Sequence, residues 1–185
     1  MPPIDYKDIA TPNGQAENMG GTKQRFFFAP LRYFDVIATV DPAGTTLASK
    51  VEIANSHTFL PGHGFHKIYS TLDKGGVTNE PQGERDGRSF KQKYKGFTPG
   101  SDLALHGMMS LIKNEPCIVL VEESDGNINQ IGSEDYYAEI LPKYMTGETT
   151  AGLRGYEIDV ESVAPVNYRY TGTIILFEDH EGSGS

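Results

Sequence analysis

The chain has 185 residues, which is long enough for one domain with its own hydrophobic core. Its formal net charge is −9, and this negative charge disfavours non-specific binding to nucleic acids and to anionic membranes. The single cysteine, Cys117, excludes a disulfide within one chain, and it opens the apolar run 117–121, so we expect a buried thiol. No apolar run is long enough to span a bilayer and no leader pattern is present, so no membrane partner is expected.

The N-terminal third combines an arm, a segment that is apolar on both faces and a long weakly patterned stretch. Residues 1–22 contain several prolines and glycines and predict an arm rather than a regular element. Segment 24–34 predicts a strand that is covered on both sides or lies at an interface, with Phe26 and Phe28 as candidate subunit-interface residues. Residues 39–61 predict a long loop, which we expect to be poorly ordered, like the arm, until a partner binds.

The next segments predict a meander of hairpins whose last strand has a basic face. Gly75-Gly76 and Asp86-Gly87 are turn dipeptides between strand-like runs. After the second turn every other residue is a lysine, so one face of that strand is expected to be wet and positively charged. Such a face indicates that the outside of the sheet meets another sheet, another subunit or a solvent-filled channel, and Lys91, Lys93 and Lys95 are its candidate subunit-interface residues.

A single helix is predicted between about residues 101 and 114. Pro99-Gly100-Ser101 supplies a stop and an N-cap, and Asp102 suits the positive end of the helix dipole. Apolar residues at helical spacing predict its buried face, which comprises Ala104, Met108, Leu111 and Ile112.

Further strands are predicted after the helix. Residues 117–123 are apolar enough for a central strand, which Asp125-Gly126 turns back into 127–131. Segment 136–144 predicts another strand, broken by Pro142. Two last strands are predicted at about 154–163 and 168–178.

The strand near residue 158 has a regular acidic face. Tyr156, Ile158 and Val160 occupy the even positions, which is the period-two pattern of a strand with one buried face and one wet face. The odd positions carry carboxylates, which are those of Glu157, Asp159 and Glu161.

The elements add up to a mainly β, antiparallel protein of about eight strands with one α-helix, arranged as a β-sandwich or a partly closed β-barrel. Residues 23–178 are expected to form a single β-rich domain, preceded by the arm at 1–22 and followed by a flexible, acidic Gly-Ser tail at 179–185.

No group of residues in the sequence predicts catalysis, a cofactor or a metal site. His57, His63 and His66 lie close together, but their spacing matches no zinc or iron pattern and no carboxylate lies among them, so loop histidines are the favoured interpretation. No serine lies in a Gly-x-Ser-x-Gly motif. We therefore expect a protein that is not an enzyme.

The order and size of the elements resemble the tail tube proteins of tailed bacteriophages, which are similar in fold to the tube proteins of contractile injection machines. The resemblance implies a tail-tube-like fold in which one sheet of each subunit joins a continuous β-barrel around a channel. It rests on five segments after residue 60, which are 64–73, 80–96, 99–114, 117–132 and 155–177.

The resemblance also implies a function and a location. The chain would be a virion protein of the tail, made in the host cytoplasm, that self-assembles into stacked hexameric rings. Its partners would be copies of itself and other tail proteins, and DNA would pass through the channel without specific binding.

The resemblance implies a separate role for each charged row. Glu157, Asp159 and Glu161 would be channel-lining residues that stand without partners and repel the polyanion. The lysines would face a neighbouring subunit or the outside. Pairing of the two rows across a subunit boundary is the alternative.

Two other classes remain open on the sequence. A capsid decoration protein or a ligand-binding β-sandwich would use the tyrosine and phenylalanine side chains as a binding face. A small hydrolase is a third class, for which the sequence indicates no catalytic residues.

Overall fold

Twelve β-strands and one α-helix form the part of the chain that the structure, a computed structural model, describes: residues 4–12, 14 and 18–177. The strands form a six-stranded sheet, named here the central sheet, a four-stranded outer sheet, and a two-stranded ribbon. The mainly β, antiparallel class with one helix that the sequence predicts is therefore confirmed, and the described strands are layered without closing into a barrel.

The spatial order of the strands in each sheet differs from their order in the chain. From edge to edge, the central sheet comprises β3 (Glu52–Ile53), β12 (Arg169–Tyr170), β9 (Ile128–Ile131), β8 (Cys117–Glu123), β1 (Thr22–Pro30) and β5 (His66–Tyr69). The outer sheet comprises β10 (Glu139–Met145), β11 (Gly155–Ala164), β7 (Ser89–Pro99) and β6 (Gly76–Gln82). The ribbon pairs β2 (Phe34–Val36) with β4 (Thr58–Phe59), the helix α1 spans Leu103–Ile112, and two 3-10 turns lie at Leu31–Tyr33 and Ala48–Lys50.

The central sheet is buried on both faces, which explains the consecutive apolar residues of β1 and β8. Phe26 and Phe28 pack toward the outer sheet and α1, whereas Phe27 packs into a second core on the opposite face. The expected subunit-interface role of Phe26 and Phe28 is wrong, because these side chains are only 0% and 5% exposed within a single chain. Of the two alternatives for segment 24–34, coverage on both sides is the one observed.

The second core corrects the expectation of a long loop at 39–61. That stretch contains a 3-10 turn and the short strands β3 and β4, and it covers the far face of the central sheet. Ile53 and His57 are fully buried there, so the segment does bury substantial surface without a partner. By contrast, the described residues between 4 and 20 contain no strand or helix, and the tail at 179–185 lies outside the described residues.

The helix begins one residue later than its sequence signal suggests. The N-cap is Asp102, whose carboxylate accepts a hydrogen bond from the backbone N–H of Leu105 at 2.9 Å. Met109 and Ile112 reach the core between the two sheets, whereas Leu111, expected on the buried face, is 74% exposed. Leu105 and Met108 pack against the same core, so the buried face is rotated from the predicted one.

The C-terminal strands differ from their predicted forms in length. β11 has the expected alternation, with its even positions in the core. The strand expected at 168–178 is reduced to β12 and a single parallel bridge between Phe65 and Leu176. Pro142 does not break its strand, because β10 continues through it on the edge of the outer sheet.

Candidate interaction surface on the outer sheet

The outer face of the outer sheet carries the two charged rows on adjacent strands. β7 and β11 are antiparallel neighbours, with Lys95 opposite Asp159 and Lys93 opposite Glu161. Directly opposed residues share one face of a sheet, so the two rows form a single charged surface. We name them the basic row, which is Lys91, Lys93 and Lys95, and the acidic row, which is Glu157, Asp159 and Glu161.

The two rows pair with each other within one chain. Lys91 Nζ lies 3.0 Å from a carboxylate oxygen of Glu161, and Lys95 Nζ lies 3.8 Å from one of Asp159. The expectation that the carboxylates stand without partners is therefore wrong for Asp159 and Glu161, and a neighbouring subunit is not needed to bring the rows together. Each pair is partly exposed, so each contributes only about 0.2–1 kcal/mol to stability.

Charges on the two edge strands almost balance this surface. Glu139 and Lys143 of β10 lie opposite Glu161 and Glu157, and Glu80 of β6 lies opposite Lys91. With the two rows, the outer face carries five carboxylates and four lysines. A wall built from this face would present alternating stripes of charge rather than one sign.

One end of the surface is locally acidic. A cleft of about 380 Å³ is lined by Asp135, Glu139 and Glu161, and also by Lys91 and the half-exposed ring of Tyr136. Glu139 and Glu161 face each other directly across the strands, a repulsive arrangement that Lys91 relieves on one side only. Among the described residues, no group of three or more His, Cys, Asp or Glu side chains is arranged to hold a metal ion.

The edges of the outer sheet are the second feature of this surface. Just beyond β7 and β11, the backbone N–H of Gly100 donates to the carbonyl of Arg154, which lies directly opposite it. In an antiparallel sheet, successive residues of a strand form their backbone hydrogen bonds with the neighbours on alternate sides. The even-numbered residues of β7 therefore bond to β11, and the odd-numbered ones bond to β6. By the same alternation, Val77, Asn79 and Pro81 of β6 turn their backbone groups away from β7, toward the open edge.

The opposite edge has the same property. Even-numbered residues of β11 bond to β7, so its odd-numbered ones bond to β10, and the edge-facing backbone groups of β10 belong to Ile140, Pro142 and Tyr144. Each edge strand thus has a proline at an edge-facing position, where its missing N–H costs no hydrogen bond within the sheet. Each edge retains two donors, which limits how completely it can pair with another strand.

The three histidines close in sequence do not form one site. His63 stacks on Tyr33 with ring centroids 4.1 Å apart, and His66 stacks on Phe28 at 5.4 Å, whereas His57 lies in the second core. The favoured interpretation as loop histidines is wrong for His66, which lies in β5. His57 does lie in a loop, directly before β4, but it is fully buried there.

His57 is held by hydrogen bonds that define its protonation state. Its Nδ1 accepts from the backbone N–H of Ala38 at 3.0 Å, so the proton resides on Nε2, which donates to Oε1 of Gln130 at 2.8 Å. Its ring lies parallel to that of Tyr170, with centroids 4.8 Å apart. Burial lowers the pKa of His57, and the hydrogen bond to Gln130 opposes this effect only in part.

The amide of Gln130 belongs to a buried polar connection between the two sheets. Gln92 of β7 donates to the backbone carbonyl of Gln130 at 3.2 Å and accepts from the N–H of Gly132 at 3.3 Å. Gln130 in turn donates to the carbonyl of Gly132. Sequence reasoning missed this network, because single polar residues in strands carry no signal of what they will meet across a core.

Cys117 lies in the core, as its sequence context predicts. Burial, reinforced by the nearby negative charge of Glu115, raises the pKa of its thiol to about 12. The thiolate, which is the nucleophilic form, is therefore not accessible at neutral pH.

Comparison with family models, with curated proteins and with solved structures finds no match for this chain. In the described residues no helix has both the length and the apolar content needed to cross a membrane.

Proposed function

We propose that this chain is a virion structural protein that self-assembles into stacked hexameric rings, which form the tail tube of a bacteriophage through which DNA passes. The proposal rests on the resemblance of the sequence to tail tube proteins and on one observation in the structure. That observation is the direction of the two strands, β6 and β10, at the open edges of the outer sheet. Its partners would be further copies of the chain and other tail proteins, and it would have no catalytic turnover.

The open edges support a head-to-tail ring. Strands alternate in direction across the outer sheet, so β6 and β10 run antiparallel to each other. When copies are placed side by side in the same orientation, β6 of one copy meets β10 of the next in an antiparallel arrangement. Such a heterologous contact generates a closed ring if its rotation closes.

The edge prolines limit the main-chain part of this contact. With Pro81 and Pro142 in edge-facing positions, a junction between two copies can use donors only from Val77, Asn79, Ile140 and Tyr144. Side-chain contacts would therefore carry much of the ring interface. The same prolines would discourage open-ended pairing of the sheets into aggregates.

The alternating rows of charge on the outer face change the charge that we expect on the wall of the channel. If the outer face lined the lumen, DNA would meet lysines and carboxylates in nearly equal number, two pairs of which, Lys91–Glu161 and Lys95–Asp159, already bind each other. A polyanion would be neither strongly repelled nor held at one place by such a wall, which is compatible with passage without specific binding.

Electron microscopy of the purified full-length protein is the direct test of the proposal. Six-fold rings or tubes of uniform diameter are expected, with a mass per ring of six copies by light scattering. Particles that stay monomeric or trimeric at high protein concentration would contradict the proposal and favour a capsid decoration protein or a ligand-binding β-sandwich.

A further inference from the structure

The arm leaves two large apolar side chains in water. Tyr6 and Ile9 are both 97% exposed, and the segment around them contains no strand or helix. The acidic residues Asp5 and Asp8 flank them, with Lys7 between. The segment therefore carries two exposed apolar anchors and a net negative charge outside any regular element.

A groove of about 560 Å³ lies at the end of the central sheet formed by β1 and β5. Its apolar wall consists of Met19, Tyr69 and Leu72, which are all at least half exposed. Exposed aromatic and aliphatic side chains that surround one concavity are typical of binding sites for apolar anchors.

The charged wall of the groove is positive, although the protein as a whole is acidic. Lys23 and Arg25 both bind the carboxylate of Glu122, at 2.5 and 2.9 Å. Lys67, on the other side, is exposed and has no ion-pair partner among the described residues. Three cations thus meet one carboxylate, which leaves the groove suited to an acidic ligand.

We propose that the groove binds the arm of a second copy of this chain, with Tyr6 and Ile9 on the apolar wall and Asp5 and Asp8 toward the cations. In the chain's own copy, Gly20 and Gly21 are bonded to Ser124 beside the groove, while Tyr6 and Ile9 are exposed and do not line it. The choice of a second copy as the occupant rests on the self-assembly proposed above.

Disulfide trapping between two singly substituted full-length chains tests this docking. One population carries Ile9→Cys and the other carries Leu72→Cys, and the native Cys117 stays silent because its thiol is buried. On mixing and mild oxidation we expect dimers whose 9–72 link is identified by peptide mass. Val36→Cys, which is exposed elsewhere on the chain, replaces Leu72→Cys in the matched control and should link much less.

A charge reversal tests whether the acidic side chains of the arm lie against the cations of the groove. Lys67→Glu should reduce the yield of the 9–72 link about two- to fivefold, and adding Asp8→Lys to the arm should restore it, since exposed charge pairs carry roughly that much free energy. A yield of the 9–72 link that Lys67→Glu leaves unchanged, or lowers without rescue by Asp8→Lys, would overturn the placement of Asp8 against the cations of the groove.

The remaining outcomes separate this docking from the proposed function. Rings or tubes in electron micrographs with no 9–72 link would overturn the docking and leave the assembly standing. Absence of both would overturn both. A 9–72 link that forms readily in a monomer of the doubly substituted chain, but not between singly substituted chains, would overturn the second copy as the occupant and show that the arm binds its own groove.

Discussion

The two sheets of this protein differ in how many of their faces are buried. The central sheet is buried on both faces, and its strands β1 and β8 have consecutive apolar residues. The outer sheet has one buried face and one charged face, and its strand β11 alternates strictly. The central sheet therefore contributes side chains to both cores, whereas the outer sheet contributes to one core and presents edges and charges to whatever the protein contacts.

The largest expected effect is the loss of a core side chain from the central sheet. Phe26→Ala should lower the free energy of unfolding by about 3–5 kcal/mol, because it leaves a cavity between the sheets. Leu141→Ala on the outer face of β10 is the matched control and should change it by less than about 1 kcal/mol. Urea unfolding followed by circular dichroism measures both, and similar costs for the two variants would contradict the contrast between the sheets.

A pH dependence is expected from His57 in the second core. Its pKa is lowered in the folded state, so the neutral form is favoured by folding. The stability that it contributes is complete above the unfolded value of about 6.5 and is lost as the pH falls below that value, by at most about 1.4 kcal/mol per pH unit.

Urea unfolding between pH 8 and pH 5 measures this slope. His57→Gln should be less stable at pH 8 but should lose most of the slope below pH 6.5. His63→Gln, whose ring stacks on Tyr33 outside the network, should retain the slope. A wild-type profile that is flat from pH 8 to pH 5 would show that the buried imidazole does not govern acid stability.

An intermediate effect is expected at the edges of the outer sheet. Replacing both Pro81 and Pro142 by Thr adds one edge-facing N–H to each edge, and each new hydrogen bond in a junction would contribute about 1 kcal/mol. Sedimentation velocity should therefore show stronger association, as rings or as irregular aggregates. Pro42→Thr, in an exposed turn, is the control. An unchanged association constant would mean that these edges do not meet in the assembly.

The smallest effect is expected from the paired charges of the outer face. A double-mutant cycle with Lys91→Gln and Glu161→Gln should give a coupling energy of about 0.2–1 kcal/mol in unfolding experiments, and high salt should reduce it. Neutralising the whole acidic row should leave assembly intact and increase retention of DNA, because the lysines then lack partners. Loss of assembly with unchanged DNA retention would place the row at a subunit contact.

Local patterns predict much of the fold and part of the candidate surface. The alternation in β7 and β11 identifies both charged rows, and the apolar run after Cys117 identifies the central strand, because side-chain period and burial are linked within one strand. The segment 39–61 resists this reasoning, since its apolar residues are too sparse to form a pattern. Its burial depends on the far face of the central sheet.

The sequence by itself determined the fold class, the wet faces of the strands and the absence of a disulfide within the chain, since each follows from residue type and local spacing. Only the tertiary structure decided that the basic and acidic rows are neighbours, that Pro81 and Pro142 face open edges, and that His57 meets Gln130. Strand order and register bring together residues tens of positions apart, and the free energy that selects one register comes from the whole core rather than from any local segment.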